Sequence, residues 1–80
     1  MGDSALVLDH DSPVPLWQQL AGILRDKIES GEITGRVPSI LTVAQTYEVG
    51  HSTAQRALAV LRDEGLITGS QGRGYYVTRS

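Results

Sequence analysis

Three stretches with apolar residues at helical spacing, a tight turn joining the second to the third, and two β-branched or aromatic runs around a glycine-rich tip together predict an α+β fold. In that order they make a winged helix-turn-helix, three helices followed by a two-stranded β-hairpin wing. The 80-residue chain has room for one small domain with a single core. Residues 13–80 are expected to form it, and residues 1–12 to be a flexible N-terminal segment in which Ala5 to Leu8 can add a short edge strand.

Ser12, Pro13 and Pro15 mark the start of the first helix, where the missing N–H of a proline costs nothing. Leu16, Leu20, Ile23, Leu24 and Ile28 follow at helical spacing, with Trp17 beside the first, so a helix from Pro15 to Ser30 buries one stripe and stops at Gly31. Gly31 to Val37 is a connector. Pro38 and Ser39 open the second helix, with the Ser39 hydroxyl suited to capping a first-turn N–H. Val43, Ala44 and Tyr47 are its apolar face.

Glu48, Val49 and Gly50 form the turn, with Val49 plugging the core between polar neighbours. In the third helix, within Val49 to Gly65, Ala54, Ala57, Leu58 and Leu61 make a narrow apolar stripe. His51, Ser52, Thr53, Gln55 and Arg56 lie between them, and all are hydrogen-bonding residues in the first two turns. That is the pattern of a helix packed along one side and reaching into a major groove with its N-terminal end. Gly65 suits the left-handed residue after the helix. The β-prone runs Leu66-Ile67-Thr68 and Tyr75-Tyr76-Val77-Thr78 then flank Gly69 to Gly74, a tip that carries Arg73 toward an adjacent backbone or minor groove.

Charge agrees only when its distribution is considered. The net charge is -2, against a nucleic-acid partner, but the first 35 residues hold two cations against six carboxylates and the remainder five against three. The absence of cysteine excludes a disulfide framework and leaves stability to burial. No apolar run approaches a membrane span and no signal peptide opens the chain, so a cytoplasmic protein without a membrane partner is expected. No cofactor is expected: two distant histidines make no metal site, and His51-Ser52 has no carboxylate to orient a catalytic histidine, so the chain is not expected to be an enzyme.

PLWQQLAGILRDKIESGEI, VPS, STAQRALAVLRDEGLI and QGRGYYV, in this order and spacing, resemble the DNA-binding domain of the GntR family of bacterial transcription regulators from about Val14 to Val77. The resemblance implies a repressor-type regulator that binds double-stranded operator DNA, commonly as a homodimer on a palindromic site. Position on the helix-turn-helix and wing, together with the resemblance, gives expected DNA contacts at Ser39, His51, Ser52, Thr53, Gln55, Arg56, Gln71, Gly72 and Arg73. Family members continue with an effector-binding domain, and no small-molecule effector is expected within these 80 residues.

Departures from the family pattern fall on readout positions. Ile40 and Leu41 stand, expected exposed, where the family usually has an acidic residue and a DNA-contacting arginine, while His51 and Gln55 replace two more arginines. Gln55 retains a bidentate amide for adenine, and His51 a donor for base or phosphate. The rival reading is a winged helix that has lost DNA readout and works as a protein-protein interaction module, with Ile40 and Leu41 as its surface.

Overall fold

The computed structural model describes residues 8, 9, 11–70 and 74–78, and in them three helices pack against a small antiparallel sheet. Helix α1 spans Leu16–Ser30, with Pro15 as its N-cap residue and Leu20, Ala21, Ile23, Leu24 and Ile28 buried. It ends at Gly31, whose φ of +86° is open to glycine at little cost and allows its N–H to return to the Ile28 carbonyl. The predicted N-terminal boundary, Pro15, lies one residue early.

The connector is more ordered than its composition suggests. Arg36–Val37 forms a two-residue strand, β1. Helix α2 follows at Ile40–Tyr47, capped as expected by Ser39, whose Oγ accepts from the Thr42 N–H. Glu48, at φ +56°, closes α2 in a left-handed conformation, and Val49 donates its N–H to the Ala44 carbonyl while its side chain packs on the core. Helix α3 runs from His51 to Asp63, within the predicted Val49 to Gly65, after the expected turn at Glu48 to Gly50 and before Gly65, which takes the left-handed conformation at φ +82°. Ala54, Ala57, Leu58 and Leu61 are its buried face.

Strands β2, Ile67–Ser70, and β3, Gly74–Val77, form the expected wing. The wing has a third strand: the sheet order is β1-β3-β2, with Val37 opposite Tyr75 and Arg36 opposite Tyr76. The two-stranded hairpin wing expected from the sequence is present, and β1 adds a third strand to its sheet. Alternation puts Val37, Tyr75 and Ile67 into the core and leaves Arg36, Tyr76 and Thr68 outside. Gly69, opposite Tyr75, has φ +147°, and any Cβ there would collide with the Gly74 carbonyl oxygen, so the strands approach at that point only around a glycine. Thr78 fastens the base of the wing, donating its hydroxyl to the Gly65 carbonyl at 2.6 Å and its N–H to Leu66 at 3.1 Å.

Leu20, Leu24, Leu58, Leu61, Ile67, Val37 and Val43 are the largest fully buried side chains, so α3 is the central element, packed on α1, α2 and β2. Leu8 also reaches this core. Beside it, the Gln19 amide accepts from the Asp9 N–H at 2.8 Å and donates to the Asp9 carbonyl at 3.0 Å, tying the chain before α1 to its second turn. The expected strand at Ala5 to Leu8 falls mostly outside the described residues. No helix among the described residues is long and apolar enough to cross a membrane.

Candidate nucleic-acid interface

With one stripe of α3 buried, the 100° step of the helix assigns the opposite face to Ser52, Arg56, Ala59 and Asp63, flanked by Gln55. His51, Ser52 and Arg56 are exposed, and Thr53 and Gln55 are half-buried. The first carboxylate of the helix is Asp63, at its last position. None of the twelve preceding residues is a carboxylate, so the exposed side chains among them meet an anion without like-charge repulsion from the helix, and the small Ala59 does not hold the backbone off. Gly50, the N-cap, has no side chain to cover the first-turn N–H groups, so these remain open at the positive end of the helix dipole.

Ser39 is engaged as the N-cap of α2, as its position suggests. Its Oγ accepts from the Thr42 N–H at 3.1 Å and donates to Thr42 Oγ1 at 2.9 Å, which engages its only proton. The exposed Thr42 hydroxyl, receiving that bond, keeps its own proton to donate outward. Ile40 is half-buried against the core, correcting the expectation that both it and Leu41 are exposed; Leu41 is 59% exposed.

Five cations fall among the described residues, and their partners divide them. Arg25 makes a two-pronged ion pair with Glu64 at 2.9 and 2.7 Å, Lys27 meets Glu32 at 2.6 Å, and Arg62 lies 3.6 Å from Asp63. Hydrogen bonding to Glu64 raises the Arg25 pKa, and the same bond lowers that of Glu64. Among the described residues Arg36 and Arg56 have no carboxylate partner. The Arg36 guanidinium lies beside Gly74, at the tip end of β3, where a Cβ on that glycine would stand 3.6 Å from its Nη2. Arg56 lies over the ring of Trp17 on α1, with Cζ 4.8 Å from the ring centroid.

Of the residues singled out in the sequence, His51, Ser52, Thr53, Gln55 and Arg56 come together on the N-terminal half of α3, and Ser39 sits at the start of α2. Gln71, Gly72 and Arg73 lie outside the described residues, between the ends of β2 and β3. Three side chains escaped the sequence reading: Arg36, Thr42 and Trp17. Arg36 had a local signal, a cation directly before Val37-Pro38-Ser39 in the basic half of the chain, whereas the contact of Trp17 with Arg56 has none.

A family model described as "Bacterial regulatory proteins, gntR family" matches residues 16–77. An uncharacterized HTH-type transcriptional regulator of Rhizobium meliloti (strain 1021) is 38% identical over 77 residues, covering 94% of this chain and 32% of that protein. The HTH-type transcriptional repressor NagR of Bacillus subtilis (strain 168) is 30% identical over 74 residues, covering 90% of this chain and 30% of its own length. Among solved structures, YtrA from Sulfolobus acidocaldarius, a GntR-family transcription factor, superposes with a TM-score of 0.80 at 32% identity over 91% of this chain and 79% of YtrA. The chain thus spans about a third of the two curated relatives.

Proposed function

Because the chain belongs to the gntR family of bacterial regulatory proteins, we propose that it is the operator-binding part of a transcriptional repressor. The observation that carries this reading is the face of α3 just described: hydrogen-bonding side chains and an arginine with no carboxylate partner among the described residues, on a helix end free of carboxylates and on a family-matched scaffold. Ser52, Gln55 and His51 face base edges in the major groove, where Gln55 pairs with adenine N6 and N7 and His51 donates to a base or phosphate. Thr53 and Thr42 hydroxyls, Arg36 and the wing residues Gln71, Gly72 and Arg73 take the backbone, with Ser39 orienting Thr42.

Repression follows from occupancy of a promoter, and the name of NagR supports that sign of regulation. A palindromic site would seat two copies with half-sites one helical turn or a multiple apart. Leu41, Gln55 and His51, in place of the family's usual arginines, make contacts with fewer phosphates, so binding is expected to be less sensitive to salt than in arginine-rich relatives.

The test is electrophoretic mobility of promoter DNA from the neighbourhood of the gene at two salt concentrations, beside an unrelated duplex of equal length. Retardation of the promoter fragment at a salt that releases the unrelated duplex is the expected result. Equal behaviour of both fragments would remove sequence specificity, and no retardation at either salt would favour the interaction-module reading, which the exposed Leu41 supports.

A further inference from the structure

Arg56 is exposed, and its guanidinium lies over the half-buried indole of Trp17. Val60 and Glu64, one and two turns further along α3, line the same groove between α1 and α3 as Trp17, so Arg56 sits at the open end of that seam. The attraction of a cation to the negative face of an indole needs no carboxylate or carbonyl acceptor. No carboxylate among the described residues takes the guanidinium donors, which are left for an outside acceptor. An arginine held in this way has already lost part of the side-chain freedom that binding would otherwise remove.

We infer that Trp17 is a positioning residue for DNA, holding Arg56 at the α1 edge of the recognition helix as a preformed clamp for one backbone phosphate. The inference rests on the DNA-binding reading. An arginine that reads guanine has to extend from the outward face into the groove toward the base edges, whereas Arg56 is drawn sideways onto α1, which leaves the base edges to Ser52 and Gln55. Phosphate chemistry suits the held guanidinium, whose planar fork matches two phosphate oxygens.

Trp17 is the only tryptophan of the chain, so tryptophan emission reports on its surroundings, and Arg56→Ala isolates the share that comes from this contact. The chain is titrated with a fluorescently labelled duplex, and DNA anisotropy and Trp17 emission are read in parallel. Emission is expected to change with the same midpoint as anisotropy, and the change to vanish at saturating DNA in Arg56→Ala. Arg56→Ala should weaken binding to promoter and random duplexes alike and make the slope of log K against log salt shallower by about one per protomer. Trp17→Leu should weaken binding by roughly two- to fivefold in the wild-type background and not at all in the Arg56→Ala background, while Trp17→Phe, which keeps a π face, stays near wild type.

Emission that stays constant while anisotropy saturates would overturn the inference, as would losses from Trp17→Leu and Arg56→Ala that multiply independently. Where Trp17→Leu unfolds the chain, the emission arm, which leaves Trp17 intact, decides. Flat anisotropy of the unaltered protein with every duplex would instead overturn the DNA-binding reading, and this inference with it.

Discussion

Gln55 and the wing arginine differ in what they can tell apart. The Gln55 amide has a donor and an acceptor at the spacing of adenine N6 and N7, whereas Arg36 and Arg73 offer charge to a phosphate that every sequence carries. Gln55→Ala is therefore expected to relax preference at one base pair per half-site by ~1–3 kcal/mol, with little change in affinity for random DNA. Arg36→Ala and Arg73→Ala should each weaken specific and random binding together and reduce the salt slope by about one. Anisotropy titrations against an operator, a point-mutated operator and a random duplex check both, and identical, sequence-independent losses for all three variants would show that Gln55 reads no base. A different kind of constraint holds Gly69, where the carbonyl of Gly74 occupies the space of a side chain. Gly69→Ala should cost ~1–3 kcal/mol in thermal melts through backbone strain and displacement of β3.

At the level of elements, α3 depends on both flanks. Leu58 is fully buried at its centre, so Leu58→Ala is expected to cost ~2–5 kcal/mol, much of the stability of so small a domain, and a melt indistinguishable from wild type would contradict the assigned packing face. The C-terminal end of α3 is tied to α1 by the Arg25–Glu64 pair, whose side chains are 34% and 38% exposed, and such surface pairs contribute only ~0.2–1 kcal/mol. Its pH dependence has a definite sign. Glu64 titrates below its ordinary value because Arg25 hydrogen-bonds its charged form, so the contribution is present above the usual carboxylate range and is lost as pH falls through the lowered folded value. Arg25 remains charged throughout that window. The stability difference between wild type and Glu64→Gln should thus be largest near neutrality and shrink toward strongly acid pH in paired chemical denaturations.

For the molecule as a whole, the described surface offers little for self-association away from DNA. Its exposed large apolar residues are Val14, Leu41 and Tyr76, carried respectively before α1, on α2 and on β3. Single apolar side chains on separate elements do not make the contiguous patch of a stable dimer. Sedimentation velocity of the 80-residue chain at micromolar concentration is expected to give mostly monomer, with pairs formed when a palindromic duplex is added. A dimer of the DNA-free chain that survives dilution would contradict this.

The three helices, their order and the main burial face of each were legible in the residue pattern. Helical period, a capping serine at Ser39 and a stopping glycine at Gly31 are local signals that need no knowledge of the rest of the chain. The polar cluster from His51 to Arg56 was legible for the same reason. Strand β1 was not, because two residues carry no alternation of their own, and Arg36–Val37 becomes a strand only when Tyr75 and Tyr76 arrive beside it. Nor could pattern separate Ile40, turned onto the core, from Leu41, left in solvent, since both are apolar neighbours at a helix start. The clamp of Gln19 on Asp9, the partners that neutralise Arg25 and Lys27, and the stacking of Arg56 on Trp17 all depend on side-chain geometry set by the folded backbone. Periodicity along the chain thus specifies which faces are buried. Which charges remain unpaired on the outer face is decided by chain reversal, because long-range side-chain neighbours exist only after the helices and sheet have packed.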